Sequence, residues 1–354
     1  MHTSTATRRI GWVDAMRGFT MILVVFSHVE IFGLGLNIDY DGANHLFQLF
    51  RMPLFFFVSG FIAYRLNEVW DWTHYRNSML KKMRVQVIPM LFFGLLFAAT
   101  VYTNRHGMSP KEAIVLFFYT SDKLGYWFTE VLLEMFVIYY TVSFLMRKFR
   151  LLYRQIVLIL IAICFHILSL RGIMAYTSFN AGNWFCLHQL LFYFQFFIFG
   201  NLVSCYREKV FKAFDNQYVI GIIILLFCGS FIMYRMYIPG TIKILSEAVR
   251  YFGVATVVAV FRHYEHFFSK ETRIGRGLQY IGQRTLDVYL IHYFLIPSIP
   301  ALGLFIYSSN SIVLELTINI CLSLLIILFC LIISNIIRIS PFLSYWLLGV
   351  KREK

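Results

Sequence analysis

Residues 11–30 read GWVDAMRGFTMILVVFSHVE. The run is apolar enough to begin a membrane helix, which needs about 20 residues to cross the hydrocarbon core. Yet it contains Asp14, Arg17 and His28. Such residues cost at least about 2.5–3.5 kcal/mol each at mid-bilayer, and they face a bundle interior or a water-filled cavity rather than lipid. Arg17 and His28 are eleven positions apart. At about 100° per residue that is three turns plus roughly 20°, so the two share a face, separated by about 16 Å along the axis. Asp14 precedes Arg17 by three residues, the spacing at which the two can pair on a helix. A first helix with an aligned polar stripe predicts a bundle that encloses it.

The rest of the chain agrees with that reading. Of its 354 residues 59% are hydrophobic and 14% charged, with a mean hydropathy of +0.68. This is too apolar for a soluble domain, and the apolar runs are too long and too little alternating for barrel strands. The expected fold is an all-α polytopic membrane bundle of about ten transmembrane helices. They are expected near 11–33, 48–66, 85–103, 126–146, 155–171, 188–206, 217–236, 246–262, 284–306 and 312–337. The fifth and eighth read as short, either little tilted or partly re-entrant. The sequence shows no internal repeat and no long linker, so residues 1–354 are expected to form a single integral membrane domain. Arg8 and Arg9 precede the first span as in a signal peptide, but no small-residue cleavage site follows, so that span is expected to be retained. With the N-terminus cytoplasmic, 23 of the 32 Lys and Arg fall inside and 7 outside, while Arg17 and Arg51 lie within spans. That asymmetry predicts that both termini are cytoplasmic. The net charge of +14 is therefore a topology signal, not a nucleic-acid surface. The six cysteines are scattered with no CxxC pair, which gives neither a metal site nor a disulfide framework.

The stripe suggests a site with a cation near the cytoplasm for an anionic ligand and a histidine further up the same face for chemistry. The gap matches the pantetheine arm of coenzyme A. A neutral imidazole can take the proton of a hydroxyl as it attacks, and no Gly-x-Ser-x-Gly elbow is present for an acyl-serine route. Glu130 and Glu134 lie at i and i+4 near the outer start of the fourth span. Glu130, at a depth similar to His28, would orient the imidazole or bind a sugar hydroxyl; an interfacial carboxylate is the plainer reading. Trp127 is either an interface anchor or a sugar platform. Arg51 would stabilise an oxyanion or hold an anionic acceptor, or else snorkel to the headgroups. Ser59, in a Ser-Gly pair, serves helix packing or touches the donor. Lys81, Lys82 and Arg84 signal topology or meet phosphates. His292 is a pathway residue or a satisfied core histidine, and Asp287 and Tyr289 accompany it. The connections 104–125 and 171–187 would help select the acceptor.

Five segments carry a resemblance. They are VDAMRGFTMILVVFSHV (13–29), FRMPLFFFVSGFIAYR (50–65), LKKMRVQVIPML (80–91), YWFTEVLLEMF (126–136) and IGQRTLDVYLIHYFLI (281–296). In order and content they resemble the acyltransferase-3 family of membrane-bound acyltransferases, whose first helix carries an arginine, ten residues and a histidine. Gln86 stands where relatives often carry a second arginine before the proline, here Pro89. The resemblance implies acyl transfer from cytoplasmic acyl-CoA, acetyl-CoA by default, to a hydroxyl of a cell-envelope glycan or lipid-linked sugar. It implies that His28 is the base and that Arg17 helps hold the donor. The residues weighed above complete the expected site: Glu130 beside His28 in the chemistry, Asp14, Arg84 and Ser59 on the donor side, and Arg51, Trp127, Tyr289 and His292 on the acceptor side. The resemblance also implies a multi-pass protein of a bacterial inner membrane, with the lipid bilayer as its surroundings and neither metal nor nucleic acid as partner. The competing reading is a carrier of a glycan or acylated precursor, for which paired broken helices in two halves would be expected.

Overall fold

The computed structural model describes residues 10–36, 43–65, 68–171, 185–236 and 241–350, and every regular element among them is helical. The helices are α1 Gly11–His28, α2 Ala43–Ala63, α3 spanning Trp72–His106, α4 Pro110–Tyr119, α5 Trp127–Leu145, α6 Leu151–Leu170, α7 Leu187–Cys205 and α8 Arg207–Phe214. They continue with α9 Gln217–Arg235, α10 Ile242–His263, α11 Arg273–Gln283, α12 Thr285–Leu295, α13 Pro300–Ser309, α14 Ile312–Ile339 and α15 Pro341–Leu347. Nine of them, α1 being extended to Gly33, are long and apolar enough to cross a membrane, and the bent pair α12–α13 passes the same test when its two helices are taken together, as a broken span or a re-entrant loop. This is the multi-pass helical bundle expected. Arg8 and Arg9, and most of the 171–187 connection, lie outside the described residues.

The chain divides into two compact units. The first comprises 1–55, 207–288 and 296–328, and the second 56–206, 289–295 and 329–354. In the first, α1 packs along α11 and α10, and α9 lies on α10. In the second, α6 packs on α7, α3 on α5, and α15 against α3. Two thirds of the apolar window of α1 is buried, against 11% for α9. The first helix is therefore interior, as its charges require, while α9 presents its sides to lipid.

Three expectations are corrected. The ninth span is broken: α12 and α13 meet at 99°. Pro297 and Pro300 lack N–H groups, and each disfavours the helical region for the residue before it. The Ile299 N–H freed at the break donates to the Gly33 carbonyl at 2.7 Å. The third span is longer than 85–103, running 35 residues from Trp72 to His106; Asp71 caps its polar start by accepting from the His74 N–H at 2.6 Å. The fifth and eighth spans are full-length at 20 and 22 residues. The 104–125 connection contains α4, begun by a capping box in which Ser109 and Glu112 satisfy each other's backbone N–H. Those bonds hold the Glu112 carboxyl below its ordinary pKa.

Candidate functional site

The polar stripe of α1 is fixed at its lower end. Arg17 Nη1 lies 3.5 Å from Asp14 Oδ1, the i,i+3 pair the spacing predicts. Arg17 Nη2 donates to Thr285 Oγ1 at 2.9 Å, and Gln283 Nε2 donates to Asp14 Oδ2 at 3.2 Å. These links hold because α1 and α11 approach backbone to backbone. A methyl group on Gly18 would overlap the Leu278 carbonyl, and one on Gly282 the Asp14 carbonyl. The Arg17 side chain stays 29% exposed, so a positioned guanidinium remains open to an anion.

His28 is half-buried at the last residue of α1, and its ring centroid lies 5.7 Å from that of Phe32. The helix then continues as one π-helical turn, Val29–Gly33, in which Leu34 N–H bonds the Val29 carbonyl at 2.9 Å. Such turns insert an extra residue and re-aim side chains, often at functional sites. A second π segment, Met83–Val87, contains Arg84.

Beside His28 the first unit holds a buried polar cluster that sequence reasoning missed. Ser27 donates to Asn44 Oδ1, and Arg51 donates to Ser27 and, at 3.2 Å, to Asn44. Glu30 accepts from Asn319 Nδ2 at 3.1 Å and lies within electrostatic reach of Arg51 and Glu315. Ser27, Glu30, Asn44, Glu315 and Asn319 are all buried. Arg51 is thus tied inward rather than stretched to the headgroups. The available signal was Glu30 itself, a further carboxyl in the first helix, and the i,i+4 pair Glu315 and Asn319 in the last span.

The second unit gathers Glu130, Glu134 and Lys123 around a cavity of about 580 Å³ whose other walls are largely apolar. Glu130 Oε2 accepts from the Cys186 thiol at 3.5 Å. Burial, reinforced by the Glu130 charge, pushes that thiol well above its ordinary pKa, so Cys186 is protonated at neutral pH and unsuited to nucleophilic acyl capture. Lys123 Nζ donates to the Phe118 carbonyl at 2.9 Å. Lys123, Leu124 and Cys186 all have left-handed backbones, with φ of 48°, 52° and 45°. That conformation costs roughly 1–2 kcal/mol per non-glycine residue and persists where surrounding structure imposes it.

Other residues named from the sequence take more structural places. Trp127 stacks on Tyr193 at 5.6 Å and contacts Phe56. The Tyr289 hydroxyl donates to the Gly125 carbonyl at 2.7 Å and accepts from the Phe128 N–H at 3.2 Å, which fastens the start of α5. His292 is fully buried, its ring 4.1 Å from that of Tyr293. Ser59 precedes Gly60, where a methyl group would overlap the Phe197 carbonyl. The Ser-Gly pair therefore marks a close crossing of α2 with α7. Arg84 donates to the Tyr345 hydroxyl at 2.9 Å and lies over its ring.

A second cavity in this unit, of about 600 Å³, is lined by Arg65, Arg147, Lys148 and Arg154 with the acids Glu68 and Asp71 and with Trp70. The Arg154 Nε and Trp70 Nε1 donors are buried there without hydrogen-bond partners. Its make-up suits an anionic group, and nothing in the span count had separated these cations from topology signals.

Against known proteins, residues 10–335 match the family model Acyl_transf_3, described as an acyltransferase domain. No curated protein and no solved structure matches. The match takes in the stripe of α1, the Ser-Gly crossing of α2 and the Tyr289–His292 segment, and with nine to ten apolar spans among the described residues it identifies the chain as a multi-pass integral membrane acyltransferase of the acyltransferase-3 family.

Proposed function

We propose that this acyltransferase moves an acyl group, acetyl in the simplest case, from cytoplasmic acyl-CoA to a hydroxyl of a cell-envelope glycan or glycolipid. The proposed setting is a bacterial inner membrane, with both termini cytoplasmic. One observation carries the reading: on the interior helix α1, a part-exposed guanidinium held by Asp14 and Thr285 precedes His28 by eleven residues on the same face. Arg17 is assigned to the donor's phosphates, with Asp14 setting its geometry. Arg84 and Ser59 are further donor-side candidates.

His28 is assigned as general base. Its imidazole nitrogen takes the acceptor hydroxyl proton as the oxygen attacks the thioester carbonyl carbon. The tetrahedral centre collapses with cleavage of the C–S bond. The thiolate of coenzyme A leaves and receives a proton, and the acyl group remains as an ester. Arg51, fixed by Ser27 and Asn44, is the candidate to stabilise the negative charge on the carbonyl oxygen. Glu130 is assigned to the acceptor side.

The test uses membranes containing the protein and radiolabelled acetyl-CoA. Label is expected in an envelope glycan or glycolipid fraction. Arg17→Ala is expected to raise the KM for the donor about tenfold or more, the worth of a charge-assisted contact. Arg17→Lys should restore only part of it, because an ammonium cannot reproduce the guanidinium fork. An unchanged KM in Arg17→Ala removes that residue from donor binding. No transfer from acetyl-CoA or succinyl-CoA overturns the donor class.

A further inference from the structure

In the second unit, Glu134 lies one turn below Glu130 on α5, and both line the 580 Å³ cavity. Both carboxyl oxygens of Glu134 are buried, and neither has a hydrogen-bond partner. Buried polar groups in native proteins are nearly always satisfied, so each exception asks for an unseen partner. Lys123 Nζ donates to the Phe118 carbonyl, and neither Glu134 oxygen receives a hydrogen bond from it. The walls around the acid include Met90, Leu91, Leu133, Val137, Ile138 and Leu190. They belong to α3, α5 and α7, each of which is long and apolar enough to cross a membrane. Its volume falls in the range of small-molecule sites, roughly 300–1,000 Å³. The left-handed backbones of Lys123, at one edge, and of Cys186, between the lining residues Phe185 and Leu187, are held in place by the surrounding structure.

We propose that this cavity is a binding site for a long-chain lipid alcohol, whose hydroxyl hydrogen-bonds the Glu134 carboxyl while its chain lies along the apolar walls. The chemistry selects this class. A glycan in the cavity would leave most of its hydroxyls unpaired against apolar side chains. An anionic headgroup would meet two carboxyl groups. An ammonium would have to be stripped of water and would pair only with the ionised acid. A hydroxyl both donates and accepts, so it can hydrogen-bond the carboxyl in either protonation state. A plain acyl tail fills the space but leaves both oxygens unsatisfied. The proposal concerns binding alone and does not rest on the identity of the acyl donor or on His28 as base.

The experiment is photolabelling of the purified full-length protein in lipid nanodiscs. The probe is hexadecan-1-ol carrying a mid-chain diazirine, and its methyl ether serves as control, with crosslinks mapped by mass spectrometry. The alcohol is expected to label residues within 87–91 and 133–138 about tenfold more than the ether, as expected from one buried hydrogen bond. Glu134→Leu should reduce alcohol labelling to the ether's level. Glu134→Gln, which keeps a donor and an acceptor at the same place, should retain most of it. Equal labelling by alcohol and ether in the unsubstituted protein overturns the proposal and makes the cavity a simple tail pocket. So does labelling confined to other segments, or undiminished labelling in Glu134→Leu. The alcohol-to-ether comparison stands even if a Glu134 variant fails to fold.

Discussion

His28→Ala is expected to lower acyl transfer roughly 10²–10⁴-fold, the usual worth of a positioned general base. The loss should fall on kcat, with little change in the KM for the acyl donor. The reasoning separates the two ends of α1. Arg17 is held by Asp14 and Thr285, a set of bonds that does not involve His28. Removing the imidazole leaves that lower end intact and removes only the group that accepts the hydroxyl proton. His28→Gln is the matching control, since it preserves polarity and approximate size but cannot act as a base near neutral pH. It should be nearly as inactive as the alanine variant. The measurement is label transfer by membranes with matched amounts of protein, with kcat and KM determined separately. Full activity in His28→Gln would mean that the histidine is a structural member of the bundle and that another group takes the proton.

The plan of this molecule is readable in its sequence wherever the signal is local. Apolar runs of about 20 residues mark the spans, and the Asp14–Arg17 pair follows from helix geometry alone. The break between α12 and α13 was also local, since Pro297 and Pro300 are plain to see. A hydropathy window averages across them, though, because both flanks are equally apolar. The π turn after His28 has no sequence signature of its own. It is visible only once the Leu34 N–H is seen to reach the Val29 carbonyl. The cluster around Ser27 is the clearest case of non-local information. Asn319 reaches Glu30 from 289 residues away, and no spacing rule brings the two together. Tyr289 shows the converse. Its place in a recognisable segment suggested substrate binding, while its hydroxyl is engaged by the backbone at Gly125 and Phe128.

The crossing of α1 with α11 gives the sharpest stability prediction, because one helix contains both the test and its control. Gly282→Ala places a methyl group against the Asp14 carbonyl, and the clash is with backbone that no side-chain rotation can relieve. Overpacking of this kind costs about 1–3 kcal/mol, more than the gain of up to about 1 kcal/mol from replacing glycine with alanine in a helix. Gly277 is on the same helix, and a methyl group there meets nothing within 4 Å, so Gly277→Ala collects the propensity gain alone. The expected result is a Tm below that of the unsubstituted protein for Gly282→Ala and one equal or higher for Gly277→Ala, measured by thermal unfolding in detergent. A functional consequence accompanies it. Gln283 and Thr285, which bond Asp14 and Arg17, directly follow Gly282. Any shift of the helix end moves the guanidinium, so Gly282→Ala should also raise the KM for the donor, while Gly277→Ala leaves it unchanged. If both alanine variants shift Tm in the same direction and by the same amount, the close approach is not what holds these helices together. The positioning of Arg17 must then come from elsewhere in the first unit.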